Sequence, residues 1–99
     1  MSQLWFVVAT IPYGKVATYG DVGRELDPPV SGLLVGKWMA RAPEGVPWWR
    51  VVARDGTLVV AKRSPALGLE QRLRLEKEGV PFHGDQVEVS VARHCFEAP

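Results

Sequence analysis

The stretch GVPWWRVV, residues 45–52, places two tryptophans and an arginine directly after a turn-forming proline. Indole rings offer flat apolar surfaces, and a guanidinium offers charge-assisted contacts to anions. Neither tryptophan has an ionisable group that could serve as a nucleophile or a general base. Cys95, the one cysteine of the chain, lies far away in the C-terminal tail. The stretch therefore cannot supply nucleophilic catalysis, and its two rings serve either the core or a bound partner.

Residues 31–63 form a basic zone on a nearly neutral protein. The zone contains six basic residues against Glu44 and Asp55, a net charge of +4, whereas the whole chain carries +1. Such an asymmetric distribution is expected of a face that contacts phosphate. A solvated surface with counter-charges nearby in space is the alternative that the sequence leaves open.

The spacing of apolar residues predicts three helices in the first part of the chain. Ser2 is a candidate cap for the first helix, which ends at Pro12, and a short second helix follows Tyr19. Ser31 caps a third helix over residues 31–41, and the tight turn before it predicts a helix-turn-helix. The residues expected to face the core are Leu4, Val7, Val8, Ile11, Val22, Leu26, Leu34, Val35, Trp38 and Met39.

The third helix carries two further stripes with a spacing of four residues. A side that is both small and basic can approach a phosphate backbone closely. Packing of the small residues against another helix explains the same pattern equally well. The stripes are Leu33, Lys37 and Arg41 on one line and Gly32, Gly36 and Ala40 on the other.

The second half of the chain mixes strand and helix patterns. The series VVARDGTLVV predicts a β-hairpin that turns at Asp55 and Gly56. A helix is expected over residues 69–78 with Leu69 and Leu73 facing inward, and VEVSV, residues 87–91, alternates as a strand. The expected ion pairs on that helix are Glu70–Arg74, Arg72–Glu76 and Arg74–Glu78. The predicted fold class is α+β and mostly helical, a winged helix-turn-helix in one domain over residues 1–99.

Composition disfavours several kinds of site. A single cysteine excludes an internal disulfide framework, and with only His83 and His94 as nitrogen ligands we expect no metal site and no cofactor. The N-terminal segment has no basic leader, and its apolar run is too short to span a bilayer. We therefore expect a soluble cytoplasmic monomer without a membrane partner, associated with the nucleoid if the source is bacterial.

Four segments, taken in order and spacing, resemble a known family: IPYGKVATYGDVG (11–23), VGKWM (35–39), VPWWRVVARDGTL (46–58) and LEKEGV (75–80). Together they resemble the C-terminal DNA-binding domain of O6-alkylguanine-DNA alkyltransferases. The reactive cysteine of that family lies in a Pro-Cys-His-Arg-Val motif, and this chain has Trp48 at the cysteine position. Tryptophan at that position is typical of the alkyltransferase-like proteins, which bind O6-alkylguanine in DNA without removing the alkyl group.

The resemblance implies roles for individual residues. Tyr19 matches the family tyrosine that rotates the 3′ phosphate and drives the nucleotide out of the duplex. Trp48 would contact the alkyl group where the thiol would have stood. Arg63 resembles an arginine that contacts the flipped base electrostatically. Val51 and Met39 match positions that line the pocket.

Two departures from the family pattern qualify these roles. Leu33 stands where the family has an arginine that fills the gap left by the flipped base, and a leucine offers an apolar wedge in its place. Trp49 stands where histidine is common, and we expect it to pack behind the pocket because alternate residues of an extended chain face opposite sides. The full set of expected DNA- and alkylguanine-binding residues is Tyr19, Ser31, Leu33, Gly36, Lys37, Met39, Trp48, Trp49, Val51, Arg54 and Arg63.

The resemblance implies a non-enzymatic sensor that flips O6-alkylguanine out of double-stranded DNA and signals to nucleotide excision repair. A general minor-groove or architectural DNA-binding module without lesion preference is the alternative, because Leu33 and the low net charge also fit it. A protein-interaction domain with exposed tryptophans as anchors is a third hypothesis.

Overall fold

Residues 2–96 are described by a computed structural model. The helices along these residues are α1 Ser2–Ala9, α2 Tyr19–Arg24, α3 Gly32–Met39, α4 Pro65–Lys77 and α5 Val89–Ala92. The strands are β1 Ala17–Thr18, β2 Val51–Val52, β3 Phe82–His83 and β4 Gln86–Val87, and two 3₁₀ turns span Trp48–Arg50 and Val59–Lys62. The predicted α+β, mostly helical class is confirmed, with α2 and α3 as the helix-turn-helix.

The first core cluster forms where α1 packs on the helix-turn-helix. Ser2 does not cap α1 as predicted, because it already lies within the helix. Burial of each aliphatic side chain in such a cluster contributes about 1.5–3 kcal/mol relative to exposure. The buried members are Leu4, Val7, Val8, Ile11, Ala17, Val22, Leu26, Val35 and Val51, which include most of the predicted inward residues.

Both helices of the helix-turn-helix begin with a side-chain cap. The Thr18 hydroxyl accepts a hydrogen bond from the backbone N–H of Asp21 at 3.0 Å, and the Asp21 carboxylate accepts from the backbone N–H of Thr18 at 3.2 Å. This reciprocal capping box fixes the first turn of α2. The Ser31 hydroxyl accepts from the backbone N–H of Leu34 at 3.2 Å, so its predicted capping of α3 is confirmed.

The side of α3 that the sequence predicts to face the core does so. The stripe of small residues packs against α2 at its first member, Gly32. Val35 is fully buried, and Met39 is partly buried against the first core cluster. A Cβ on Gly32 would lie only 2.9 Å from the backbone nitrogen of Gly20, so α3 can approach α2 only with glycine there. The helix ends at Met39 and leaves Arg41 outside the predicted basic stripe.

A short parallel pair joins the two halves of the chain. β1 pairs with β2, with Ala17 opposite Val51. The preceding residue, Val16, forms a parallel bridge to Arg93 near the C-terminus. Residues 16–18 therefore pair with both β2 and the C-terminal segment. Around them lies the second core cluster, made of Val16, Val52, Leu58, Leu75, Val80, Val87 and Ala92.

The predicted hairpin over VVARDGTLVV is wrong in its second arm. The turn itself is present, because the backbone N–H of Ala53 donates to the carbonyl of Thr57 at 3.1 Å and Gly56 has a φ of +89°. The chain then enters the 3₁₀ turn Val59–Lys62. A Cβ on Gly56 would lie 2.2 Å from the carbonyl oxygen of Val87. Among the described residues β2 pairs with β1 alone, and the residues of the predicted second arm pack as a 3₁₀ turn against α4, where Gly68 meets Ala61.

α4 differs from the prediction in both its start and its orientation. The helix begins at Pro65 after the cap residue Ser64, four residues before the predicted start. Leu69 and Leu73, predicted to face inward, are exposed, and the buried positions are Gly68, Gln71 and Leu75. The polar Gln71 satisfies its amide inside the fold, and periodicity based on apolar residues cannot anticipate such a position.

Two of the three ion pairs predicted on α4 are confirmed. Glu70 and Arg74 approach to 2.9 Å, and Arg72 and Glu76 approach to 3.3 Å. The third pair is wrong, because Glu78 turns away from Arg74 toward the N-terminal half of the molecule.

The C-terminal region forms a small antiparallel hairpin followed by a short helix. β3 pairs with β4, with Phe82 opposite Val87. The predicted strand over residues 87–91 is wrong beyond Val87, because Val89–Ala92 forms α5. Within residues 2–96, no helix combines the length and apolar character needed to cross a bilayer.

Candidate nucleic-acid interface

A cavity of about 930 Å³ opens between α2, α3 and residues 48–63. This volume falls within the range of pockets that hold small ligands. Much of its lining is apolar and comes from Met39, Trp48, Val51, Val59 and Val60. Among the lining residues in the described part of the chain, none is acidic and five are basic: Arg24, Lys37, Arg54, Arg63 and Arg93.

The cavity brings together nine of the eleven residues expected from the sequence. They are Tyr19, Leu33, Gly36, Lys37, Met39, Trp48, Val51, Arg54 and Arg63. Ser31 and Trp49 are not among the lining residues. Ser31 caps α3 with its hydroxyl, and Trp49 packs partly buried against the second core cluster. These residues come from separate parts of the sequence, and the pairing of β1 with β2 draws them to one place.

Tyr19 is the first residue of α2 and lies at the edge of the cavity. A Cβ on Gly36 would lie 3.9 Å from Cδ1 of the Tyr19 ring, so α3 leaves space beside the ring. Burial raises the pKa of the Tyr19 phenol above its ordinary value of 10.0, and the positive charge of Arg63 offsets part of that rise. At neutral pH the phenol is therefore uncharged and can donate a hydrogen bond to a phosphate oxygen.

The side chains of Trp48 and Trp49 point to different sides of the turn that carries them. Their ring centroids lie 6.1 Å apart, and the ring planes are nearly perpendicular at 87°. Trp48 lines the cavity, whereas Trp49 donates its indole N–H to Glu78 at 2.8 Å. The reason expected from the sequence is wrong, because Trp48–Arg50 is a 3₁₀ turn and not extended chain. Successive side chains of a 3₁₀ turn point about 120° apart, which separates the two rings equally well.

Glu78 anchors the tryptophan-bearing turn from behind. Its carboxylate, only 5% exposed, accepts hydrogen bonds from the Trp49 indole, the Arg50 guanidinium and the backbone N–H of Gly14. Burial alone would raise the pKa of Glu78, but these hydrogen bonds and the charge of Arg50 bring it below its ordinary value. Arg50 also donates to the carbonyl of Ile11 at 3.0 Å. The turn is thus tied to both the loop after α1 and the end of α4.

Gln71 holds the same turn from a second side. This side chain is 2% exposed, and its amide donates to the carbonyls of Trp49 and Val51, each at 3.1 Å. Because a buried amide donor without an acceptor is costly, Gln71 fixes the path of the backbone that carries Trp48.

The basic zone of the sequence includes one arginine that is unavailable to a ligand and omits two that line the cavity. Arg50 belongs to the zone, yet its side chain is 15% exposed and bound to Glu78, so it presents no charge to a ligand. Arg24 and Arg93 line the cavity and share the Asp21 carboxylate. The Thr-x-x-Asp spacing of Thr18 and Asp21 is the one sequence signal that could have marked this place, as a capping box.

The described residues contain no group of three or more histidine, cysteine, aspartate or glutamate side chains that could hold a metal ion. Cys95 is exposed and does not line the cavity.

A family profile described as 6-O-methylguanine DNA methyltransferase, DNA binding domain, matches residues 1–80. The chain belongs to this family. The DNA base-flipping protein of Escherichia coli (strain K12) is 43% identical to it over 84 residues, which are 83% of this chain and 63% of that protein. The chain therefore spans less than two thirds of the length of that relative.

The alkyltransferase-like branch of the family supplies further similar proteins. Alkyltransferase-like protein 1 of Schizosaccharomyces pombe is 40% identical over 85 residues, which are 83% of this chain and 77% of that protein. A crystal structure of S. pombe Atl1 in complex with damaged DNA containing O6-carboxymethylguanine matches with a TM-score of 0.70 at 38% identity, covering 83% of this chain and 77% of that one. The chain is thus an alkyltransferase-like member of the family.

Proposed function

We propose that this alkyltransferase-like protein binds O6-alkylguanine in double-stranded DNA by drawing the damaged nucleotide into the cavity, and that it leaves the alkyl group in place. The observation that carries the proposal is the composition of the cavity. An indole, an uncharged phenol and a rim of five cations surround one space of about 930 Å³. The relatives include a protein named for base flipping and one bound to DNA with O6-carboxymethylguanine, which supports the same conclusion.

Extrusion of the nucleotide follows from the side chains at the mouth of the cavity. Tyr19 donates its phenol hydrogen to the phosphate that must rotate. Leu33 is 75% exposed at the rim, where it inserts as an apolar wedge into the space that the base vacates. A lesion that pairs poorly costs less to extrude than an intact guanine, so the lesion itself contributes to selectivity.

Inside the cavity, Trp48 supplies apolar contact to the alkylated base. Aromatic contact with a base is worth about 1–3 kcal/mol. Transfer of the alkyl group would require a thiolate and a base to activate it, and the residues that line the cavity offer neither. The bound lesion therefore stays chemically intact, and its repair falls to another system. We propose that this system is nucleotide excision repair and that the protein acts as a cytoplasmic monomer.

The first test compares two duplexes that differ only by O6-methylguanine in place of guanine. Binding is measured by fluorescence anisotropy, and the recovered DNA is digested and examined for the methyl group. We expect tighter binding to the lesion, with every methyl group retained. Equal affinity for both duplexes would contradict lesion sensing, and loss of methyl groups would contradict the non-enzymatic role.

A Tyr19→Phe variant tests the extrusion step. It keeps the ring and loses the hydroxyl, so lesion binding should weaken while the undamaged duplex is bound nearly as before.

The link to repair is tested with purified excision-repair proteins, whose incision of the O6-methylguanine duplex should increase when this protein is added. Unchanged incision would contradict the proposed signalling.

The second candidate function is a minor-groove module without lesion preference, which the exposed wedge position of Leu33 favours. A Leu33→Arg variant restores the residue type expected from the family. Under the sensor proposal, this variant should gain affinity for the lesion opposite cytosine, because an arginine can hydrogen-bond the unpaired base. Under the second function, Leu33→Arg should bind the O6-methylguanine duplex and the undamaged duplex more tightly than the native protein by the same factor.

A further inference from the structure

Residues 81–96 lie beyond the family match and nevertheless contribute to the cavity. The match covers residues 1–80, whereas Arg93 is one of the lining residues. The segment that carries Arg93 is fastened to β1. The backbone N–H of Val16 donates to the carbonyl of Ala92 at 2.9 Å, and the backbone N–H of His94 donates to the carbonyl of Val16 at 2.7 Å. Arg93 is therefore held in place by the backbone on both sides.

The side chain of Arg93 meets that of Arg24 on one carboxylate. Arg93 binds Asp21 through two donors, with its Nε 2.9 Å from Oδ2 and its Nη2 on Oδ1. Arg24 places its own Nη2 on the same Oδ1 oxygen. Asp21 is 6% exposed, while Arg24 and Arg93 are 66% and 49% exposed. One buried anion thus holds two cations whose remaining surfaces face the cavity.

The charge balance of this group is positive. Two guanidinium groups share one carboxylate, and hydrogen bonds from Arg93 and from Thr18 outweigh the effect of burial to keep the pKa of Asp21 below its ordinary value. Asp21 therefore balances one of the two positive charges, and the other is left to a cavity that Tyr19 also lines. Guanidinium groups in a fixed orientation are suited to bind the oxygens of a phosphate.

We propose that Arg24 and Arg93, oriented by Asp21, bind a phosphate of the DNA strand next to the extruded nucleotide, and that the C-terminal segment is consequently part of the DNA-binding site. The proposal rests on the proposed function, because it places duplex DNA at this cavity. It assigns to the two arginines a contact that carries no sequence or lesion information. Lesion preference remains with the residues inside the cavity.

The test measures how binding depends on salt for the variants Arg24→Gln and Arg93→Gln. Removal of one arginine–phosphate ion pair should reduce the slope of log K against log salt concentration by about 0.9. We expect this reduction in both variants, on the O6-methylguanine duplex and on the undamaged duplex alike, with the ratio of the two affinities unchanged. The matched control is Arg72→Gln, which removes the same charge from a residue that does not line the cavity, and its slope should remain native.

A purely structural role for Arg93 would give different results. If it served only to hold Asp21, both Arg93→Gln and Arg93→Lys would lower affinity without changing the slope. Under the proposal, Arg93→Lys restores the native slope because it restores the charge. Thermal unfolding of each variant confirms that the compared proteins are folded. Failure of lesion sensing would be visible separately, as equal affinity of the native chain for the two duplexes.

Discussion

Within the described residues 2–96, two buried carboxylates bind arginines, and the exposure of those arginines differs between the two groups. Glu78 is 5% exposed and its partner Arg50 is 15% exposed, so the whole group is enclosed. Asp21 is equally buried, but both of its arginines are at the surface of the cavity. The same pairing of charges therefore fixes a loop in one place and presents a cation to a ligand in the other. What differs is how much of each arginine remains available to a ligand.

The largest expected effect is the loss of stability in Glu78→Gln. The amide would leave Arg50 buried without a counter-charge, and removing one partner of a buried pair typically costs about 3–5 kcal/mol. Urea unfolding at neutral pH measures the free energy of unfolding of the native protein and of each variant. The matched control is Glu70→Gln, whose pair with Arg74 is half exposed and should be worth less than about 1 kcal/mol. Similar losses in both variants would remove the distinction between enclosed and open pairs.

Asp21→Asn should cost less, about 2 kcal/mol, which is typical of hydrogen bonds to a charged group. The released guanidinium groups of Arg24 and Arg93 can be hydrated, since both are already exposed. Urea unfolding of Asp21→Asn, compared with that of Glu78→Gln, measures the difference in the free energy of unfolding. A stability loss equal to that of Glu78→Gln would show that the Asp21 group is enclosed in solution.

Acidification should reduce the contribution of both Glu78 and Asp21 to the free energy of unfolding. The pKa of Glu78 and that of Asp21 are lowered from ordinary values of 4.5 and 3.8, so their contributions are fully present above those values and are lost as pH falls through the lowered folded-state values. The native protein should therefore lose stability on acidification to about pH 3 more steeply than Glu78→Gln. Parallel curves of unfolding free energy against pH would contradict a lowered pKa for Glu78.

The smallest expected effect distinguishes the two tryptophans. Trp49→Phe removes the hydrogen bond to Glu78 and should cost about 1.5 kcal/mol of stability, the low end for a bond to a charged group, because Glu78 keeps its bonds to Arg50 and Gly14. Lesion preference should be retained. Trp48→Phe should leave stability nearly native and reduce the affinity for the O6-methylguanine duplex, because Trp48 lines the cavity. Unfolding and anisotropy titrations on both variants measure these effects. The reverse pattern would contradict the assignment of the two rings.

The helix-turn-helix could be predicted from the sequence because its signals are local. Ser31 as a cap and Val35 as an inward residue follow from spacing alone, and both are found. Helical spacing alone also indicates the side of α3 with Leu33, Gly36 and Lys37, which lines the cavity. Only the resemblance predicts that Tyr19, Trp48 and Arg63 join them, because distant strands must pair to bring these residues together.

The remaining features depend on contacts that no local pattern encodes. Val59 and Val60 are β-branched, as in strands, yet residues 59–62 form a 3₁₀ turn that packs on α4, where Gly68 meets Ala61. α4 buries the polar Gln71 and exposes Leu69, which reverses the face that apolar spacing predicts. Arg93 and Asp21 are 72 residues apart in the sequence, and no local pattern around either residue predicts their contact.

The bridge between Val16 and Arg93 also bears on when, during synthesis, Asp21 can bind both of its arginines. Contacts between residues far apart in sequence carry the largest cost of loop closure, and a nascent chain is released from its N-terminus onward. The helix that carries Tyr19 is made before Arg93, so its Asp21 can meet Arg93 only after 72 further residues have been added. A nascent chain that stops before Arg93 would therefore contain the helix-turn-helix without the complete group of Asp21, Arg24 and Arg93, and the proposed phosphate contact could form only after Arg93 has been added.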